Sequence, residues 1–127
     1  MKYLCIDFGL KHLGLAMADG PLAEPLGEKK YFQQDQLFNY LNNLIIQQQI
    51  DKIVIGLPEG KLASTVKNFS KKLAELVGRE VVFQDETLST KEAKAKLIAA
   101  HAPQKKRRLD HSAAAALILQ DYLDTIN

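Results

Sequence analysis

The order of the predicted strands and helices constrains the fold of this chain more than any other feature. Short apolar runs at residues 2–8 and 13–19, with Gly9 and Gly14 bracketing the connection, predict a β-hairpin. After an irregular stretch marked by Pro25, a weaker run at residues 26–32 predicts a third strand at the edge of a sheet. Three successive strands with short connections favour antiparallel pairing at the start of the chain.

From Asp35 onward, the sequence predicts alternating helices and strands. Apolar residues recur at helical spacing after Asp35, and a continuous apolar run at residues 53–57 predicts a buried parallel strand. A second helix is predicted at residues 65–77, ended by Gly78, and a last strand is predicted at residues 81–83.

The remainder of the chain predicts two further helices. Ser89 and Glu92 have capping-box spacing, which predicts a third helix that runs to about His101. Asp110 is a favoured N-cap residue and opens the apolar final helix. Strands joined through helices pair in parallel by right-handed crossovers, so the fourth strand must return beside the first.

The fold class that follows is α/β, with a five-stranded mixed sheet of order 3-2-1-4-5 flanked by helices, as in ribonuclease H. The chain has 127 residues and is 46% hydrophobic, which predicts one domain over residues 1–127. The formal net charge is only +2, so attraction to nucleic acid must come from local patches.

Cysteine content and hydropathy predict a cytoplasmic protein. Cys5 is the only cysteine, so the chain forms no internal disulfide and a reducing compartment is expected. The N-terminus shows no signal-peptide pattern, and no stretch approaches the roughly 20 apolar residues of a membrane span. We therefore expect no membrane association.

Acidic residues stand at three places that lie far apart in the sequence but at the ends of elements that the predicted sheet brings together. Asp7 lies near the end of the first strand, where parallel sheets collect ligands; Asp85 and Glu86 follow the last strand; Asp110 opens the final helix. Neighbouring strand residues point to opposite faces, so at most one of Asp85 and Glu86 can join Asp7. Alternation in the sequence does not decide which.

A carboxylate cluster without cysteine or histidine favours Mg²⁺ or Mn²⁺ over zinc. The chemistry it predicts is two-metal phosphodiester hydrolysis, with Asp7 bridging the two ions. The structural alternatives are that Asp7 hydrogen-bonds the turn at Gly9, that the acids after the last strand are solvated, and that Asp110 only caps its helix.

Basic residues within a few positions of Asp7 or Asp110 are candidates for binding phosphates. They are Lys11, His12, Lys105, Lys106, Arg107 and Arg108. The alternative for the run at residues 105–108 is a solvated loop. The histidines share no zinc-ligand spacing, so no zinc site is predicted.

Motifs along nearly the whole chain resemble the YqgF family of bacterial proteins. They are IDFGLKHLGLA at 6–16, IVIGLP at 53–58, DETLSTKEA at 85–93 and DHSAAAALIL at 110–119. That family is described as Holliday junction resolvase-like, or as candidate pre-16S rRNA nucleases, with a ribonuclease H-like fold. The resemblance implies that Glu86, rather than Asp85, is the acidic site residue that accompanies Asp7 and Asp110.

The resemblance implies a Mg²⁺-dependent nuclease that processes pre-16S rRNA ends. The alternatives are a resolvase of branched DNA, a noncatalytic nucleic-acid-binding module of the same fold, and an actin-type phosphotransferase. Length argues against the last, because those proteins hold ATP between two domains. A resolvase would act as a dimer, since a four-way junction presents two equivalent strands, whereas an RNA-trimming enzyme fits a monomer or weak homodimer.

Several positions differ from the pattern of the YqgF family. Leu10 stands where a hydroxyl residue is usual, and His12 and Thr87 stand where arginine is usual. The loop after Pro58 is also shorter than usual. The loss of two cations beside the acids bears on substrate preference, whereas the carboxylates themselves are retained.

Overall fold

The computed structural model describes residues 1–9, 12–58, 60–85 and 111–126. Within these residues, five strands form one mixed sheet of order β3-β2-β1-β4-β5. The strands are β1 (Lys2–Phe8), β2 (His12–Asp19), β3 (Ala23–Lys30), β4 (Lys52–Leu57) and β5 (Glu80–Asp85). β1 pairs antiparallel with β2 and parallel with β4. The predicted sheet order is confirmed.

Helices cover both faces of the sheet. In the described part of the chain they are α1 (Gln34–Gln47), α2 (Leu62–Val77) and α3 (His111–Ile126). Gly78 ends α2 in the left-handed conformation, with φ 64°, and its N–H donates to the Ala74 carbonyl, as predicted for a helix C-terminus. α2 begins three residues earlier than predicted, and the helix predicted at 89–101 lies outside the described residues. No helix in the described ranges is long and apolar enough to span a bilayer.

The central strand β1 divides its side chains between two apolar cores. Leu4, Ile6 and Phe8 belong to the core beneath α1 and α2. Tyr3 and Cys5 belong to the core beneath α3. Both faces of β1 are therefore covered, which explains its nearly continuous apolar sequence.

The third strand differs from its predicted range. The prediction was 26–32, whereas β3 spans Ala23–Lys30 and includes Pro25. β3 pairs only with β2 in the described sheet, and a proline that lacks the N–H donor is tolerated on such an edge strand. The pairing also shifts register between Leu15 and Ala16, next to the proline. The predicted edge position is confirmed.

Phe69 is the aromatic centre of the core beneath α1 and α2. Its ring centroid lies 5.0 Å from those of Phe8 and Phe38, and the residue is 2% exposed. We expect Phe69→Ala to lower the free energy of unfolding by about 3–5 kcal/mol, because a cavity would remain. Urea unfolding measures this loss. Phe32→Ala removes a ring that is 92% exposed and should change stability by less than about 0.5 kcal/mol. Equal losses in the two variants would contradict the assigned core.

Candidate functional site

Asp7 lies at the C-terminal end of β1, on the sheet face that α3 covers. Alternation from Cys5, which packs in the core beneath α3, fixes this orientation. Asp7 is only 7% exposed. It therefore lies at the carboxyl edge of the parallel pair formed by β1 and β4, where α/β sheets bind ligands. Its catalytic role stays a prediction.

Glycines flank Asp7 on both neighbouring strands. Asp7 pairs with Gly14 of β2 and with Gly56 of β4. Directly paired residues project to the same face of a sheet, so neither neighbour places a side chain beside the carboxylate. Glycine inside a strand often marks the close approach of a ligand or another backbone. The two flanking strands therefore contribute no side chain on either side of Asp7.

The register of β5 resolves the orientation of Asp85, which the sequence left open. Gly56 pairs with Gln84, so Gln84 lies on the same face as Asp7. Asp85 is the next residue of the strand and points to the opposite face. Asp85 is therefore excluded from the face of Asp7. Glu86 lies outside the described residues.

The packing of α3 on the sheet places its first turn at the end of the sheet where Asp7 lies. Later in this helix, the Tyr122 ring centroid lies 6.0 Å from that of Tyr3, near the start of β1. Ser112 precedes Tyr122 by ~15 Å along the helix axis, and Asp7 follows Tyr3 by ~13 Å along the strand. The buried Ser112 therefore lies at the same end of the sheet as Asp7. Asp110 directly precedes this helix in the sequence but lies outside the described residues.

The β1–β2 turn beside Asp7 is held by two hydrogen bonds. The Gly9 N–H donates to the His12 carbonyl at 2.9 Å, and the Tyr31 hydroxyl donates to the Gly9 carbonyl at 2.9 Å. The Tyr31 ring also packs against Phe8, with centroids 6.3 Å apart. His12 is half-buried, and alternation along β2 places it on the same face as Asp7. Sequence patterns gave no signal for Tyr31, because this contact depends on how β3 folds back over the turn.

Burial raises the pKa of the Tyr31 phenol above its ordinary value, because desolvation disfavours the charged phenolate. Burial of the neutral phenol therefore contributes stability that is fully present below the ordinary pKa of tyrosine. This contribution is lost as the pH rises through the raised pKa of Tyr31.

We expect Tyr31→Phe to lower the free energy of unfolding by about 1 kcal/mol at neutral pH, because the Gly9 carbonyl loses its partner. Urea unfolding measures the change. Tyr40→Phe is the matched control, since the Tyr40 ring lies near Lys29 and its hydroxyl makes no hydrogen bond with the described residues. Equal effects of the two substitutions would contradict a specific role for the Tyr31 hydroxyl.

The predicted metal site includes one residue that the structure describes, Asp7. Across residues 1–9, 12–58, 60–85 and 111–126, no group of three or more His, Cys, Asp or Glu side chains could hold a metal ion. Glu86 and Asp110 lie outside these ranges, as do Lys11 and the basic run at 105–108. Their convergence on Asp7 stays a prediction. A buried carboxylate between two glycines fits the oxygen ligation that Mg²⁺ and Mn²⁺ prefer.

Comparison with known proteins identifies the family. The family model RuvX, described as Holliday junction resolvase, matches residues 1–125. The chain belongs to the RuvX family. A protein of Bacillus cytotoxicus, named as a candidate pre-16S rRNA nuclease, is 35% identical over 136 residues, which cover 98% of this chain and 99% of that protein. The resemblance to the YqgF family is confirmed, since RuvX and YqgF name the same family.

Solved structures of resolvases share the fold. RuvC of Thermus thermophilus, in complex with a Holliday junction substrate, gives a TM-score of 0.64 at 18% identity over 98% of this chain and 96% of that chain. The Holliday junction resolvase of fowlpox virus gives a TM-score of 0.61 at 13% identity over 100% of both chains. At these identities the likeness concerns the fold alone, and the predicted ribonuclease H-like fold is confirmed.

Proposed function

We propose that this protein is a divalent-metal-dependent endonuclease that cleaves structured nucleic acid, with the ends of pre-16S rRNA as its substrate. Membership of a resolvase family supports phosphodiester hydrolysis. The name of a relative that is 35% identical over nearly the whole chain supports the RNA substrate. The observation that carries the proposal is the position of Asp7, a buried carboxylate at the carboxyl edge of the sheet with a glycine on each side.

Asp7, Glu86 and Asp110 are the proposed ligands of Mg²⁺ or Mn²⁺. Bound ions would supply an activated water and stabilise the departing oxygen of the phosphodiester. Asp7 holds its carboxylate at a fixed point because β1 is the central strand, and the paired Gly14 and Gly56 place no side chain between it and an approaching phosphate. No nucleophilic side chain of the protein is required.

Two observations on neighbouring residues support the choice of Glu86 and Asp110. Glu86 follows Gln84 by two positions, so strand alternation favours the face of Asp7. Asp110 precedes the helix whose first turn lies at the end of the sheet where Asp7 lies.

The basic residues near the acids are proposed to bind phosphates of the substrate. His12 lies on the face of Asp7, and Lys11 precedes it in the sequence. The run at 105–108 directly precedes Asp110 in the sequence, apart from one leucine. Cationic contacts of this kind supply most of the salt-dependent affinity for nucleic acid. Residues 1–127 would act as one nuclease domain in the cytoplasm, where Cys5, which forms no disulfide, stays reduced.

Incubation of the purified protein with labelled substrates tests the proposal. The substrates are a single-stranded RNA, a pre-16S rRNA end and a four-way DNA junction, each with Mg²⁺, Mn²⁺ or EDTA. We expect internal cuts in the rRNA end with either metal and none in EDTA. Cleavage that persists in EDTA, or no cleavage of any substrate, would contradict the proposal.

Resolution of Holliday junctions is the second candidate function, and the description of the matched family favours it. A resolvase would cut two equivalent strands as a homodimer, whereas an RNA-trimming enzyme would act as a monomer or weak homodimer. Paired symmetric cuts in the four-way junction, without cuts in the rRNA end, would identify a resolvase.

A further inference from the structure

A groove of about 400 Å³ lies between α2 and β5, on the sheet face opposite Asp7. Ala74, Val81 and Phe83 contribute the apolar part of its lining. Lys67 and Lys71 form its rim, one helical turn apart on α2. β5 is the outer strand of the described sheet at this end, so the groove runs along a sheet edge.

The rim of this groove carries positive charge that no acid of the described residues neutralises. Neither Lys67 nor Lys71 forms an ion pair or hydrogen bond with these residues. Glu80, the acid that lines the groove, is paired with Lys52 at 3.4 Å. A groove with lysines on its rim and a neutralised acid fits a polyanionic ligand.

An exposed aromatic ring stands beside these lysines. Phe83 is 41% exposed, although it lies within a strand. Proteins bind single-stranded nucleic acid through this combination, because bases stack on the ring while cations contact the phosphates. A duplex does not offer its base faces for stacking, so the groove fits an unpaired strand.

We infer that the α2–β5 groove binds an unpaired segment of nucleic acid, a step that rests on the proposed nuclease function. The groove would hold the single-stranded part of the substrate next to the cleavage point. Gln84, adjacent to Phe83, lies two strand spacings or ~10 Å from Asp7. A strand that leaves Asp7 across the carboxyl ends of β4 and β5 would pass around the outer edge of β5 to enter the groove on the opposite face.

Two neighbouring lysines give a matched test of the charge contribution. Lys71 lines the groove, whereas Lys72, about 100° further around α2, lines a separate cavity beside α1. The anisotropy of a labelled single-stranded RNA, titrated with full-length protein in EDTA, measures affinity at several salt concentrations. We expect Lys71→Ala to weaken binding about three- to fivefold at low salt and to reduce the salt slope by about 0.7, whereas Lys72→Ala has little effect. Equal losses for the two variants would overturn the inference.

Substitution of Phe83 tests the stacking contribution separately. We expect Phe83→Ala to weaken binding of the same RNA about tenfold without changing the salt slope. Phe32→Ala, which removes a ring that is 92% exposed elsewhere, should bind as wild type. Unchanged binding by Phe83→Ala would overturn the inference and indicate a protein contact at this sheet edge instead.

Failure of this inference is distinguishable from failure of the nuclease proposal. RNA binding in EDTA needs neither the metal nor Asp7, so the groove variants report on binding alone. If cleavage depended on Asp7 but the groove variants bound RNA as tightly as wild type, only the inference about the groove would be overturned. The wild-type protein could also lack nuclease activity while the groove variants bind RNA more weakly than it does. That result would support RNA binding by the groove and refute the proposed function.

Discussion

Asp7→Asn is expected to lower the single-turnover cleavage rate by about a thousandfold or more in Mg²⁺. Metal ions contribute several kcal/mol to phosphodiester hydrolysis, and each 1.36 kcal/mol corresponds to a tenfold change in rate. Asparagine nearly preserves the shape of the side chain between Gly14 and Gly56 but loses the negative charge that is proposed to bind the cation. Thermal unfolding followed by circular dichroism should show an unchanged or slightly higher melting temperature, because the substitution removes one charge from the proposed cluster of mutually repelling acids.

Asp19→Asn is the matched control for this substitution. Asp19 is an exposed acid at the opposite end of the sheet, where it pairs with Lys2 across the β1–β2 ladder. Its replacement makes the same chemical change far from the proposed site, so cleavage should remain at the wild-type rate. If Asp7→Asn cleaved as fast as Asp19→Asn, Asp7 would have no catalytic role.

The second large effect is expected from Glu86→Gln and not from its neighbour. Asp85 points away from the face of Asp7 in the observed register of β5, whereas Glu86 is proposed to act on the face of Asp7. We expect Glu86→Gln to lower cleavage about a thousandfold, by the same loss of metal binding, and Asp85→Asn to change it less than about twofold. Single-turnover cleavage of the rRNA end measures both variants.

This pair of variants is informative because the substitutions are adjacent and chemically equivalent. A large loss in Asp85→Asn with little change in Glu86→Gln would reverse the assignment. Equal large losses would indicate that the charge at this strand end matters rather than the orientation of one side chain.

The sheet order could be predicted from the sequence because each step depended on a local pattern. Three strands with short connections pair antiparallel, and strands separated by helices pair in parallel, which leaves one arrangement around β1. The predicted bounds of β3 were wrong, because a proline such as Pro25, when only the local sequence is considered, indicates the end of a strand. Only the edge position of the strand shows why the proline is tolerated there.

The surroundings of Asp7 depended on long-range register that no local pattern specifies. Pairing between strands that are distant in sequence places Gly14 and Gly56 beside Asp7. The same kind of pairing sets the orientation of Asp85. Gly56 did offer a signal, since a glycine inside a buried apolar strand often marks close approach of a ligand. Tyr31 gave none, because its hydrogen bond joins the residue after β3 to the turn after β1.

Anomalous X-ray diffraction from crystals of the protein soaked in Mn²⁺ tests the central claim most directly. The account predicts one or two Mn²⁺ ions within ~2.5 Å of carboxylate oxygens from Asp7, Glu86 and Asp110. Crystals in which Mn²⁺ does not bind Asp7, or binds it while Glu86 and Asp110 lie elsewhere, would contradict the account.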